Sequence, residues 1–386
     1  MEGIRVAFAR SSDHIGAYRL VELPPDIYKR VESGEQGVRM TIKGRTDDNA
    51  VICTEDKTYS LRSVVHSNSF LVVTPPGDGD DASLVVRDQI SQILELVPVV
   101  PNVVGRLSTL LRDSDYREGH EDDSDDAEGE DTRPTKKRRI GYGEMQGHIQ
   151  ASDNELKHGL DSERVLLIRG QLRRLERGYL AQMLRLLLNA IVAQSMSPDA
   201  ALIDELVVTM EENDISRDVT AQVLPWFGAV EGNKWVVDVP SVVQEIGLSI
   251  LRSYQHDSIL REDFMSTWAN AVGESFVHAV DLRLLEGNYI QDSVISRSSN
   301  SQDGTPAMTM QPRLTYMPCS SLPTDPGLRF NDLFLVKQRW KADELVPFLR
   351  DVAIDAKARD KLILNWCRAT TDADGAIWYT QRAKHI

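Results

Sequence analysis

The chain has 386 residues, a formal charge of −15 and an apolar content of 41%, which suits two or three globular domains rather than a fibrous or wholly disordered protein. Such net acidity argues against a protein that coats nucleic acid wholesale. No apolar run follows a basic start, and no stretch approaches the roughly 20 apolar residues of a membrane span, so a soluble intracellular protein with no membrane partner is expected.

Residues 1–76 read as β-rich. Pro24-Pro25 followed by Asp26-Ile27-Tyr28 predicts one short helix between strands. Arg39-Met40-Thr41-Ile42-Lys43 alternates with period two and ends on Gly44, a half-buried strand entering a turn. Three apolar runs follow, at 51–53, 59–65 and 70–73, split by Thr54-Glu55-Asp56-Lys57 and His66-Ser67-Asn68-Ser69, a strand-turn-strand-turn-strand pattern. Strands so short and few do not close a core, so the sheet is finished either by the residues before it or by another chain. The second possibility is favoured, which makes Ile42, Val51, Ile52, Tyr59, Leu61, Phe70, Leu71 and Val73 the candidate partner-binding residues.

Residues 77–111 predict a helical connector, with one helix over 88–97 and a second piece after Pro101, bent where Pro98 and Pro101 interrupt the pattern. Residues 112–143 change character: an acidic run precedes Lys136, Lys137, Arg138 and Arg139, a composition that predicts disorder. The four basic residues after a proline have the form of a nuclear-import signal, so the nucleus is the expected compartment. The acidic run reads as a solvated spacer.

From Met145 onward amphipathic helices alternate with short hairpins centred on Gly170, Gly232, Gly287 and Gly375. Helices followed by a two-stranded flap describe a winged helix. The expected division is a helical and wing-like unit at 144–196 and winged helices at 197–255, 256–323 and 324–386. In the last, Leu345, Phe348, Leu349 and Val352 define one helical face, with comparable faces before and after it. Residues 296–305 read as an exposed loop. The fold class is α+β: an amino-terminal β domain completed by partner chains, then a tandem winged-helix array.

No catalytic or metal site is legible. Cys53, Cys319 and Cys367 lack ligand spacing, the eight histidines are scattered, and Gly141, Gly143 and Gly147 miss the dinucleotide-binding spacing by one residue. No phosphate loop, nucleophile elbow or metalloprotease helix is present, so no cofactor and no enzymatic activity are expected. Charge is uneven: acids outnumber bases through 198–300, whereas the last unit carries Lys337, Arg339, Lys341, Arg350, Lys357, Arg359, Lys361, Arg368, Arg382 and Lys384. Clustered cations are what a phosphate backbone requires, so all of these but Arg350 are the candidate DNA-binding residues. Trp340, Trp366 and Trp378 interleave with them, at a spacing that favours core packing over base stacking.

The sequences YRLVELP (18–24), TIKG (41–44), AVICTEDKTYSLR (50–62) and SNSFLVV (67–73), with RFNDLFLVKQRWKADELVPFL (329–349) and the closing 375–382, resemble the sister chromatid cohesion protein DCC family. The resemblance implies an accessory subunit of the alternative clamp loader used in chromosome cohesion. Its amino-terminal β region would assemble with the small subunit and with the tail of the large subunit. Its winged helices would meet single- and double-stranded DNA and the leading-strand polymerase, with the sliding clamp reached indirectly. The competing reading is a stand-alone winged-helix DNA-binding regulator; an enzyme with an unrecognised site is the third.

Overall fold

The computed structural model describes residues 5–8, 18–34, 39–75, 84–119, 140–298 and 307–382. The chain is a mixture of helices and several small sheets, divided into two units. Residues 1–103 and 143–158 form the first, and residues 104–142 and 159–386 the second.

The first unit contains β1 (Val6–Phe8), β2 (Leu20–Glu22), α1 (Pro25–Glu32), β3 (Thr41–Lys43), β4 (Val51–Cys53), β5 (Thr58–Thr74) and β6 (Leu84–Val99). They make one sheet in the order β1-β6-β5-β4-β3, with β2 also pairing β6. Two expectations are corrected here. The helix predicted over 88–97 is the middle of β6, antiparallel to β5. Its Ile90, Ile93, Leu94 and Val97 satisfy a helical spacing, yet the β-branched content and the length of β5 decide the matter in favour of a ladder. The residues 66–69, predicted as a turn, are a bulge inside β5: Val65 lies opposite Gln92 and Phe70 opposite Ile90. The Thr54-to-Lys57 turn is present and closes on a Thr54 N–H to Lys57 carbonyl bond of 2.9 Å.

Leu61 pairs with Leu96 and Tyr59 with Pro98, which puts Tyr59 and Leu61 on one face. That face closes a small core of Ile27, Ile52, Tyr59 and Leu96, with Val21, Leu23 and Leu61 at its margin. After α2 (Val103–Leu110) and β7 (Asp115–Tyr116) come α3 (Tyr142–His148) and α4 (Asp153–Ser162). Residues 143–158 dock on the β3–β4–β5 end of the sheet. Lys43 Nζ donates to the Ala151 carbonyl at 2.6 Å, Thr58 Oγ1 to Glu155 at 2.5 Å, and Asn154 to Asp56 at 2.7 Å.

The second unit continues with β8 (Val165–Ile168), β9 (Gln171–Leu175), α5 (Arg177–Ala193), β10 (Ala201–Leu202), α6 (Ile203–Glu211), α7 (Arg217–Val223), β11 (Gly228–Glu231), β12 (Lys234–Val237), α8 (Val239–Arg252), β13 (Ile259–Leu260) and α9 (Arg261–Val272). It closes with β14 (Tyr289–Ser298), β15 (Ala307–Tyr316), α10 (Pro326–Val336), β16 (Arg339–Lys341), α11 (Ala342–Leu345), α12 (Ala356–Trp366), β17 (Cys367–Thr371) and β18 (Ile377–Gln381). Four three-stranded sheets recur: β7-β9-β8, β10-β12-β11, β13-β15-β14 and β16-β18-β17. In the last three a short strand runs directly into a helix and pairs antiparallel with the second strand of the following hairpin. The first departs from the rule, because β7 pairs β9 in parallel.

Three of the four predicted glycine hairpins are in place. Arg169 (φ 50°) and Gly170 (φ 79°) both adopt the left-handed conformation of a tight two-residue turn. Gly287 is the exception. It lies ahead of β14 rather than between strands, and its left-handed backbone (φ 80°) accepts from the Cys319 N–H at 2.8 Å. The hairpin of that sheet is instead β14–β15, so Ser296 to Ser298, predicted as loop, belong to a strand. Neither end of the stretch expected to be disordered is a spacer: Tyr116 is in β7 and Ile140 is buried, its carbonyl accepting from Leu172 N–H. Residues 120–139, with Lys136, Lys137, Arg138 and Arg139, lie outside the described residues, as does Lys384.

One continuous core runs from Tyr116 to Leu314 through three of these sheets, and Ile290 and Leu322 pass into the core of the last. Two buried ionic clusters pin it. Glu245 on α8 is surrounded by Arg164, Arg177 and Arg252. Arg329 on α10 is wholly buried and donates to the carbonyls of Pro323 and Phe348 at 2.7 Å, to those of Cys319 and Leu322 at 3.2 Å, and to both oxygens of Asp351.

Candidate partner and nucleic-acid interfaces

The eight residues predicted to meet a partner divide in two. Ile52 and Tyr59 are buried in the first unit's own core, with Val51 and Leu61 half-buried beside them, and are corrected to structural residues. Burial and the neighbouring Asp26 carboxylate push the Tyr59 phenol up to about 12. Ile42 (71% exposed), Phe70 (42%), Leu71 (52%) and Val73 (42%) face solvent, joined by Val65 (71%), which the sequence reading did not single out. Four of these five lie on β5 beyond Ser60, its last residue paired with β4. From Leu61 to Thr74 the edge of β5 opposite β6 is paired to no strand among the described residues. A long edge rich in exposed apolar groups is one that proteins normally blunt or cover.

The eight candidate cations among the described residues do not form one patch. On the last sheet, Arg339 and Arg368 flank Thr380 in register, and Lys341 and Thr370 flank Trp378. Cross-strand neighbours share a face, so Arg339, Lys341, Arg368 and Trp378 stand together on the side away from the buried Trp340. The Arg339 guanidinium lies 4.4 Å from the centre of the Trp378 ring and Lys341 Nζ 5.4 Å from it. Trp378 is thereby corrected from a core residue to a member of the basic face. The signal for it was the period-two alternation of 377–381, since a strand turns Trp378 and Tyr379 to opposite sides. Trp340 and Trp366 do pack inward, Trp366 stacked on Phe330 at 6.3 Å.

Lys357 and Lys361 stand one helical turn apart on α12, exposed and with no ionic or hydrogen-bond partner among the described residues. The others have structural duties. Lys337 donates to Glu344 at 2.7 Å, Arg359 pairs with Asp360 at 3.0 Å, and Arg382 donates to the Leu364 carbonyl at 2.9 Å, satisfying the end of α12. Among the described residues no group of His, Cys, Asp and Glu could hold a metal ion, and no helix is long and apolar enough to cross a membrane.

A family model described as sister chromatid cohesion protein Dcc1 matches residues 18–349. The chain is 23% identical over 387 residues to the sister chromatid cohesion protein DCC1 of Mus musculus, covering 95% of this chain and 88% of that one. It is 23% identical over 373 residues to the Xenopus laevis protein of the same name, with 92% and 87% covered. Against the Saccharomyces cerevisiae protein the identity is 21% over 376 residues, with 91% and 93% covered.

Proposed function

Because the chain belongs to the sister chromatid cohesion protein Dcc1 family, we propose that it is a non-catalytic subunit of an alternative clamp loader acting in DNA replication and sister chromatid cohesion in the nucleus. The observation that carries this reading is the open edge of β5, with Val65, Phe70, Leu71 and Val73 exposed along it. An unpaired edge offers a row of N–H and C=O groups to strands supplied in trans, and its apolar side chains supply the burial that makes such pairing stable. The small subunit of the loader and the tail of its large subunit are the proposed donors.

The last three sheets with their helices are read as winged helices. The basic face around Trp378 is assigned to DNA, and the acid-rich middle of the array to the leading-strand polymerase. The sliding clamp is then reached only through the loader.

The deciding experiment co-expresses the full chain with the small subunit and the large-subunit tail and asks whether the complex survives size exclusion in high salt. Survival is expected, with loss on Leu71→Asp. A complex indifferent to Leu71→Asp, or none at all, removes this reading. The basic face then favours the stand-alone DNA-binding regulator, whose mark is sequence preference on duplex DNA.

A further inference from the structure

The second unit carries an open sheet edge of its own. β14 and β15 pair along ten residues each, whereas the strands of the β11–β12 and β17–β18 hairpins run four and five. The third strand, β13, covers only Arg313 and Leu314 of β15, so beyond them the sheet is a two-stranded ribbon. Such ribbons are marginal in water unless something covers them.

The two edges of the ribbon differ. The Gln291 carbonyl accepts from Lys337 Nζ at 3.4 Å, so it points away from β15. Backbone direction alternates along an antiparallel strand, so Ser293, Ile295 and Arg297 also turn their N–H and C=O groups outward. On β15 the same alternation, set by Leu314 facing β13, turns Pro312 toward the opposite edge, where a missing N–H blunts pairing. The β15 edge is closed to a further strand by Pro312, and the β14 edge is paired to no strand among the described residues.

At the base of the open edge lies a cavity of about 250 Å³. Tyr289 and Gln291 line it from β14, and Trp340, Pro347 and Phe348 from the last sheet's elements. Of its ionic groups, Glu344 is held by Lys337 at 2.7 Å, Glu286 by Arg350 at 3.2 Å, and Lys341 stands 5.4 Å from the centre of the Trp378 ring, with Asp343 completing the lining. Tyr289, Trp340 and Phe348 give the cavity an aromatic wall beside these mostly engaged charges.

We propose that the β14 edge binds an extended segment of a partner protein as a fourth strand, with one bulky apolar side chain of that segment seated in the cavity. Backbone pairing would supply affinity and the cavity specificity, the usual division of labour in strand addition. Charge along the edge argues against DNA as the occupant. β14 carries one acid, Asp292, and one base, Arg297, and the Arg313 of β15 is engaged with Ser258 at 2.6 and 2.8 Å, so the strand itself lacks the clustered cations that phosphates require, and the cavity's Lys337 and Lys341 are offset by Glu286, Asp343 and Glu344.

The test pans a phage-displayed random peptide library against the full chain and measures labelled synthetic hits by fluorescence anisotropy. Hits are expected to share one Leu, Phe or Trp among uncharged residues, and to shift the amide resonances of Ser293, Ile295 and Arg297. Ile295→Pro removes an outward N–H without touching the ladder to β15, and should weaken binding about ten-fold, the share of one backbone hydrogen bond. Gln291→Trp, which fills the cavity, should weaken it too, and carries the test alone should the proline variant misfold. The proposal is overturned by hits insensitive to both variants or by a library that yields no such peptide. It is also overturned if the same amides shift with duplex DNA, or with protein concentration alone, which would make a second copy of the chain the occupant.

Discussion

The first unit's sheet and the last sheet of the second unit use the same backbone pairing for opposite ends. The first sends Ile52, Tyr59 and Leu96 into a small core and leaves Val65, Phe70, Leu71 and Val73 exposed along a bare edge. The last keeps its aromatic residues inward with the single exception of Trp378, fills its interior around Arg329, and turns cations outward. An interface built on apolar edge groups is held by burial and tolerates salt, whereas one built on Arg339, Lys341 and Arg368 is held by charge and does not. The open sheet leaves an edge that a further strand could extend; the closed one is a finished surface.

The comparison breaks most visibly at Arg329. Arg329→Met takes the counter-ion from Asp351, which is 38% exposed, and removes a donor from the carbonyls of Leu322, Pro323 and Phe348 in a packed interior, while the Cys319 carbonyl keeps the Leu322 N–H. Each buried acceptor left without a donor costs about 1–3 kcal/mol. The last sheet is expected to lose protection in hydrogen exchange while the first unit keeps its own. Equal loss in both would mean that the two do not fold independently.

Next in size is the apolar edge. Phe70→Asp combined with Leu71→Asp should reduce assembly with the proposed loader subunits by more than about a hundred-fold, since two exposed apolar groups of roughly 2 kcal/mol each are replaced by charges. Pull-down in high salt reads the loss, and circular dichroism of the free chain should be unchanged because neither residue belongs to the buried core.

The basic face gives a smaller and differently shaped effect. Arg339→Ala and Arg368→Ala should each weaken DNA binding about three- to ten-fold at moderate salt and lower the slope of log affinity against log salt by about one. Arg382→Ala, whose side chain serves the end of α12, should leave that slope unchanged and lower stability instead. A slope change at Arg382 and none at Arg339 would reverse the assignment of the face.

Much of this contrast could be read from the residues, and the failures have physical causes. Gly170, Gly232 and Gly375 announced their hairpins because tight turns demand positive φ, and Gly287 misled for the same reason: its positive φ serves a turn closed by the Asn288 N–H on the Leu285 carbonyl at 3.0 Å, which leads into β14 instead of joining two paired strands. The 88–97 stretch fitted a helix on spacing alone. Its β-branched residues and its long-range partner, the seventeen-residue β5, made it a strand. Burial splits Ile52 and Tyr59 from Phe70 and Leu71 through the cover supplied by α1, which local alternation does not encode. The basic face was visible as a list of cations. Its true membership awaited the register of β16, β17 and β18, which gathers Arg339, Arg368 and Trp378 and releases Lys337, Arg359 and Arg382 to structural work.

The smallest predicted effect uses alkali to tell the two regions apart. Burial, with Asp26 nearby, raises the Tyr59 phenol from 10.0 to about 12, and burial alone raises the Cys367 thiol from 9.0 to about 12. A group held protonated in the fold contributes stability that is complete below its unfolded value and is lost as pH rises through its folded one. The first unit should therefore weaken between pH 10 and 12, and the last sheet from pH 9 upward. All six tryptophans lie beyond residue 225, in the second unit, so their fluorescence follows that unit alone. Phenolate absorbance, compared between the natural chain and Tyr59→Phe, follows the first. Tyr59→Phe should flatten the alkaline fall of the first unit without moving the tryptophan signal, and Cys367→Ala should delay only the tryptophan signal. Were either substitution to shift both signals together, the two sheets would be one cooperative structure, and the edge and the basic face could no longer be treated as separately adjustable surfaces.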